Sequence, residues 1–317
     1  MGGLSVRGFW AEVCERFTRA SPGETTNPSG FTRRLFLGLI RLSGSLVVLV
    51  WALSGLPQSA SQNLWSFDWP LLALISLPVY ALVLSAIEGA RYCAEAQRQG
   101  ITARGFLFWT SAFVTSRPWA FLLPMAIAAE AAMYLGGKGD GCDSRPMVRV
   151  LVSVRLIGLL VWAFLCGLSL NPSVATPMAM SLHAYLPGGV VSFGIAGGGL
   201  LGFFIFERTQ GRRMPWASVL LAVCSAVLLS AVAFLSARAM GIDLGFLAVM
   251  GFLGLLNFAM VLPISVGGLG VQEALLFQLF ATSGVPAEQL LMFSILLHVQ
   301  RIALALVGAA LHLFRRR

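Results

Sequence analysis

The sequence predicts an all-α polytopic membrane protein. Hydrophobic residues make up 57% of the 317 residues and charged residues only 11%, whereas a soluble domain carries about 25% charged residues. The mean hydropathy is +0.83, and several apolar runs reach the roughly 20 residues that a helix needs to cross a bilayer. A single aqueous core could not bury this much apolar surface, so we expect the bilayer to be the solvent of most of the chain.

Six apolar runs are long enough to be full spans. They cover approximately residues 35–56, 69–87, 148–170, 184–206, 216–235 and 287–313. Two further apolar stretches, 105–135 and 245–283, do not fit single spans, and the first is also too short for two complete crossings. Arg117 and Pro118 interrupt the first, and Pro263 and three glycines interrupt the second. We therefore predict a re-entrant or broken helix pair within each of these two stretches.

The basic residues predict the orientation. Arginines cluster before the first run, after the second, near residue 210 and at the C-terminus, whereas the connections 57–68 and 171–183 have none. By the positive-inside rule, both termini face the cytoplasm. This pattern accounts for the net charge of +9 without nucleic acid. Lys138 is the only lysine, which fits a GC-rich bacterial genome, and we expect a multi-pass protein of the bacterial inner membrane.

These assignments divide the chain into a cytoplasmic segment, 1–34, and one transmembrane domain, 35–317. A cleaved signal peptide ending near Ala60 is the less favoured alternative, because the leading segment is long for such a peptide. The domain itself contains two halves, about 35–170 and 184–313. Each consists of two spans, a broken pair and one span.

The two halves would have opposite orientations, so they form an inverted repeat. Residue spacing agrees with this division: Gly100-Ile101 precedes Leu123-Pro124, and Gly241-Ile242 precedes Leu262-Pro263. Inverted repeats with discontinuous helices are typical of alternating-access transporters.

The second broken pair carries a recognisable motif. The run LPISVGGLGVQE at 262–273, followed by Gly284-Val285, resembles the signature of the lysylphosphatidylglycerol synthase transmembrane-region family, also called flippase-like. The resemblance extends over about residues 35–313. It implies translocation of lipids, including aminoacylated phospholipids, across bacterial membranes. Without the soluble aminoacyl-transferase domain found in the family, this chain would be a stand-alone translocase unit.

Both halves depart from the family pattern, the first half more than the second. The acidic residue is kept as Glu130, but the preceding glycines are missing. Met133 and Gln272 stand where the family commonly has arginine, and Val154 replaces the acidic residue before Arg155. The lost arginines could have held an anionic headgroup, so a substrate shared with the family stays open.

Five ionisable residues within or beside apolar runs are the candidate substrate-binding side chains: Glu130, Arg155, Glu273, His298 and Arg301. Such groups are costly in a membrane unless they are paired or hydrated. We expect the arginines to attract a phosphate and the carboxylates to balance them when the cavity is empty. The alternative is that buried pairs, such as Glu130 with Arg155 or Glu273 with Arg301, only fix helix packing.

The motif glycines Gly267, Gly268 and Gly270 are further substrate-binding candidates. They permit a sharp turn that could bring backbone amides to a bound anion. A tight turn alone is the alternative. We consider Arg117, Pro124 and Pro263 candidate gate residues, because they interrupt the two broken pairs, although Arg117 could equally reach towards the interface.

Other polar residues carry weaker signals. Glu88 and Arg91 have the spacing of a same-face helix pair, expected at the cytoplasmic border of the second span. Three isolated histidines and five cysteines without CxxC spacing predict no metal site and no disulfide framework. We expect no cofactor.

The sequence therefore predicts a lipid translocase that moves a polar-headgroup lipid between leaflets, and not an enzyme. Its partners would be membrane lipids and, in one alternative, enzymes of envelope-lipid biosynthesis. Two other classes stay open: a membrane-embedded lipid or sugar transferase with Glu130 or Glu273 as base, and a non-transporting partner subunit. Aminoacyl phospholipid, isoprenoid-linked sugar and hopanoid-type lipid all remain candidate substrates.

Overall fold

The described part of the protein is helical. The computed structural model describes residues 79–122, 128–139, 142–169, 197–199, 202–205, 207–209, 214–261, 268–280 and 283–315. The predicted run 35–56 lies outside these residues, as do most of 69–87 and 184–206, and also Pro124, Pro263 and Gly267. No strand occurs in the described ranges.

Eight helices of ten residues or more form this part. A π-helical turn, Val79–Val83, leads directly into the first of them. The helices are α1 (Leu84–Arg98), α2 (Phe106–Leu122), α3 (Ala128–Gly139), α4 (Ser144–Ser169), α5 (Trp216–Ala239), α6 (Phe246–Ala259), α7 (Val271–Phe280) and α8 (Ala287–Arg315).

Three described helices, α4, α5 and α8, are long and apolar enough to cross a membrane. They coincide closely with the runs predicted at 148–170, 216–235 and 287–313. The two odd stretches are each divided into two helices, α2 with α3 and α6 with α7. The predicted interruption at Arg117 and Pro118 was wrong, because α2 continues through both residues to Leu122. At 1.5 Å per residue, α6 is about 21 Å long and α7 about 15 Å long, less than the roughly 30 Å of the hydrocarbon core.

The helices α1 and α5 end in the same way. Gly100 and Gly241 have φ of 86° and 72°. The N–H of the next residue, Ile101 or Ile242, donates to the carbonyl oxygen five residues earlier at 2.8 or 2.9 Å. This is the Schellman arrangement, in which a left-handed glycine ends a helix. The Gly-Ile pairs that match in the sequence are therefore matching helix stops.

The apolar core has two main parts. One is built from α5 to α8 with the end of α4, and includes Phe252, Phe280 and Phe293. The other is built mainly from α1 to α4, and includes Trp109 and Met147. Each group of four consecutive helices therefore packs around its own centre.

The two groups are joined by crossed contacts. The helix α4 packs on α6, α8 packs on α2, and α1 packs on α5. A glycine lies at each of the first two contacts. A Cβ at Gly254 of α6 would lie 2.9 Å from Cys166 Cβ, and a Cβ at Gly308 of α8 would lie 2.1 Å from the carbonyl oxygen of Val114. Small residues permit this close approach of helices in membranes.

We expect Gly308→Ala to destabilise the fold, because the added methyl group meets backbone atoms of α2 that cannot rotate away. Overpacking of this kind costs about 1–3 kcal/mol. The melting temperature in detergent should fall. Gly136→Ala is the control, since a Cβ there has no atom within 4 Å and alanine favours the helix. Equal melting temperatures for the two variants would contradict the packing.

Candidate functional site

A cavity of about 270 Å³ lies among the helices, and every described helix except α7 contributes to its wall. Its lining is unusual for an apolar membrane domain because it includes six side chains with formal charges. They are Glu88, Arg91, Arg117, Glu130, Arg155 and Arg301. Ionisable groups at such depth mark candidate substrate pathways.

Glu88 and Arg91 form the first charged pair of the wall. Arg91 Nη1 lies 3.2 Å from Glu88 Oε2, and the two side chains are only 13% and 7% exposed. The Ser225 hydroxyl donates to Glu88 Oε1 at 2.5 Å, and Arg91 Nη2 donates to the Val154 carbonyl. The pair therefore links α1 to α4 and α5. The predicted same-face pair is therefore present, and the neighbouring helices bury it.

Glu130 and Arg155 form a looser pair between α3 and α4. Glu130 Oε1 lies 3.7 Å from Arg155 Nη1, and the side chains are 10% and 35% exposed. This separation is longer than a hydrogen bond. The second carboxylate oxygen, Glu130 Oε2, is buried and has no hydrogen-bond partner among the described residues. The pair is therefore able to accept another ligand.

Arg117 of α2 and Arg301 of α8 complete the cationic lining. Each donates from Nε to the carbonyl oxygen four residues earlier in its own helix, at 3.3 Å. The Arg117 guanidinium lies 3.9 Å from the centre of the Phe113 ring, a cation–π contact. Arg301 Nη1 lies 3.5 Å from the Met260 sulfur. These contacts hold both guanidinium groups at the cavity.

Glu273 is buried but does not line the cavity. One of its oxygens accepts the Gly270 N–H at 2.7 Å. The other accepts the Ser294 hydroxyl at 2.6 Å and lies 2.8 Å from His298 Nε2. The carboxylate thus caps the start of α7 from its third position and joins α7 to α8. Its side-chain partners on α8 include His298, where the sequence had suggested Arg301.

The motif glycines are placed beside this cap. Gly268 and Gly270 have φ of 83° and 81°, a conformation that other residues rarely adopt. A Cβ at Gly268 would lie 3.1 Å from Arg301 Nη1, so the turn passes close to that guanidinium. The Gly270 amide already donates within the protein. Gly267 lies outside the described residues.

The two carboxylates occupy corresponding positions. Glu130 is the third residue of α3 and Glu273 the third residue of α7. The sequence separation between Glu273 and His298 is 25 residues, the same as that between Glu130 and Arg155. The partners lie on α4 and α8, respectively. This common spacing is a signal in the sequence that the motif comparison alone missed.

The comparison with known families agrees with the motif. Residues 38–308 match the family described as lysylphosphatidylglycerol synthase TM region. The chain belongs to this family. The match includes α1 to α7 and most of α8, and it identifies a multi-pass membrane protein of lipid metabolism or translocation. No curated protein and no solved structure matched the chain.

Several polar residues at the cavity of this family member were not singled out in the sequence. Tyr80, Tyr92, Ser225, Asn257 and Gln300 line its wall beside the charged groups. Ser225 and Asn257 are polar residues on strongly apolar helices, which is the signal that could have identified them. Among the described residues, no group of three or more His, Cys, Asp or Glu side chains could hold a metal ion.

A second charged cluster lies away from the cavity. Arg98 at the end of α1 bonds to Glu95 at 2.5 Å and to Glu207 at 2.5 Å. Both carboxylates are almost fully buried. The sequence analysis assigned neither acid a role. The cluster ties α1 to the segment 207–209.

We expect Glu273→Ala to lower the stability of the protein. The change removes the cap of α7 and leaves the buried Ser294 and His298 side chains without their acceptor, which costs about 1–3 kcal/mol. Thermal unfolding in detergent measures it. Asp243→Ala is the control: this 84% exposed carboxylate pairs with Arg238, and its removal should cost no more than about 0.5 kcal/mol. Similar losses for both variants would refute the structural role of Glu273.

Proposed function

We propose that this chain is a lipid translocase of the flippase-like type, which moves a polar-headgroup lipid between the leaflets of a bacterial inner membrane. The observation that carries the proposal is the charged cavity. Its wall is formed by α1 to α4, from the earlier part of the chain, and by α5, α6 and α8, from the later part. A lipid headgroup needs such a polar environment to cross the apolar core.

The proposed architecture is an inverted repeat with about six full spans and two re-entrant pairs, in halves of about 35–170 and 184–313. Three features support it. The helices α1 and α5 share the Schellman stop, the contacts α4 with α6 and α8 with α2 are reciprocal, and Glu130 and Glu273 have equally spaced partners. The arginine distribution favours cytoplasmic termini.

In the proposed mechanism the headgroup enters the cavity while the acyl chains stay in lipid. Rocking of the two halves then changes the leaflet to which the cavity opens. Arg155 supports this role because its side chain is partly exposed and its contact with Glu130 is long. A phosphate can therefore replace the carboxylate as the partner of Arg155, since guanidinium groups bind phosphate with two parallel hydrogen bonds.

Glu130 is the proposed coupling group. When the phosphate takes Arg155 as its partner, the Glu130 carboxylate loses the charged contact that the structure shows for it. Membrane lipids are the proposed partners, and the proposal requires no catalytic step on the lipid. Gly267, Gly268 and Gly270 would act by shaping the α7 entry beside Arg301.

A headgroup-access assay tests the translocase. Purified protein in liposomes should exchange a labelled phospholipid or polyprenyl phosphate between leaflets, and Arg301→Ala should abolish exchange because it removes a cavity cation. Glu130→Gln should slow it. Arg238→Ala, which removes an exposed arginine outside the cavity wall, should leave the rate unchanged.

No exchange of any lipid by folded protein would reject a self-sufficient translocase. It would shift the assignment to a partner-dependent subunit or a membrane-embedded transferase.

A further inference from the structure

We infer that the cavity selects lipids with an anionic phosphate headgroup and discriminates against headgroups of net positive charge, such as aminoacylated ones. The inference rests on the proposed function, and it names the substrate class of the same cavity. The proposed substrate class differs from lysylphosphatidylglycerol, the lipid after which the family is named. The inference is argued from the charges of this chain's own residues.

The described wall has more cations than anions. Four guanidinium groups and two carboxylates line it, and arginine stays protonated in proteins. A third carboxylate, Glu273, lies behind the wall, where Gly270, Ser294 and His298 occupy its oxygens. Even when this group is counted in full, the positive charges exceed the negative ones.

Each wall carboxylate already has an arginine beside it. Glu88 accepts bonds from Arg91 and Ser225, and Glu130 lies 3.7 Å from Arg155, with its Oε2 atom left without a described hydrogen-bond partner. An ammonium group of a cationic lipid would therefore have to share its acidic partner with an arginine. It would also lie close to guanidinium groups of the same charge, which is unfavourable in a poorly solvated site.

Two of the four aromatic residues of the wall already have a partner. Cations bind to exposed aromatic faces, but the Phe113 ring already carries the Arg117 guanidinium. The Tyr92 ring is stacked on Trp109, with ring centres 6.2 Å apart and planes at 7°. These contacts reduce the aromatic surface that is open to an ammonium group.

The arginine side chains suit a phosphate because they belong to different helices around one cavity. Arg117 comes from α2, Arg155 from α4 and Arg301 from α8. Asn257 and Gln300 add neutral amides, which can bond to the ester or alcohol oxygens of a headgroup. Selection by charge thus arises from residues outside the glycine motif.

Leaflet exchange of four labelled lipids in liposomes of one fixed composition tests the inference. The lipids are phosphatidic acid, phosphatidylglycerol, phosphatidylethanolamine and lysylphosphatidylglycerol. We expect the two anionic lipids to exchange faster than the cationic one by about tenfold or more. Arg117→Gln should reduce this preference, Arg117→Lys should keep most of it, and Arg238→Gln should leave it unchanged, because Arg238 lies outside the cavity wall.

Exchange that is equally fast for all four lipids, or fastest for the cationic one, would overturn the inference while leaving the translocase intact. If no lipid exchanges, the proposed function fails, and binding then decides the inference separately. Short-chain phosphatidylglycerol should raise the melting temperature of the wild-type protein in neutral detergent more than short-chain lysylphosphatidylglycerol does, and Arg117→Gln should remove the difference. Equal shifts with both lipids would overturn it.

Discussion

Burial of guanidinium groups among apolar helices is the constraint on which the interior of this protein depends. An arginine cannot become neutral when it leaves water, so its hydrogen-bonding groups need partners inside the protein. Arg91 shows the consequence: it contacts Glu88 on its own helix and the Val154 carbonyl on α4. Gly158 leaves the space for its guanidinium, since a Cβ there would lie 2.7 Å from Nη2. Charge burial thus fixes the spacing of α1 and α4.

Two carboxylates at corresponding helix positions, Glu130 and Glu273, have different partners. Both oxygens of Glu273 have hydrogen-bond partners, which are Gly270, Ser294 and His298, and these contacts join α7 to α8. Glu130 has a distant arginine and one oxygen without a described partner. The first arrangement stabilises a helix start, and the second leaves interaction capacity at the cavity. The two carboxylates therefore differ in how many of their oxygens have hydrogen-bond partners among the described residues.

Much of the fold follows from the sequence, because hydropathy reports directly on which segments cross a bilayer. The bounds of α4, α5 and α8 and the division of both odd stretches could be predicted in this way. The glycines at 100 and 241 could also be read as equivalent, since a left-handed helix stop depends on local sequence. The contacts between side chains could not be predicted from the sequence. Glu88 and Arg91 are interior because of α4 and α5, and the choice of His298 by Glu273 depends on how α8 is rotated against α7, which spacing alone leaves open.

Glu273 belongs to the family motif, but its side chain serves the start of a helix and does not line the cavity. Its carboxylate and the Gly270 amide are engaged with each other, so the most recognisable residues of the chain build the entry to α7, a helix that contributes nothing to the described cavity wall. The wall charges Glu88, Arg91 and Arg117 come instead from α1 and α2. The motif thus shapes a helix start, whereas the charges that would select the headgroup in the proposed translocase lie elsewhere. In that proposal, a change in the cavity charges would alter the lipid bound without altering the motif.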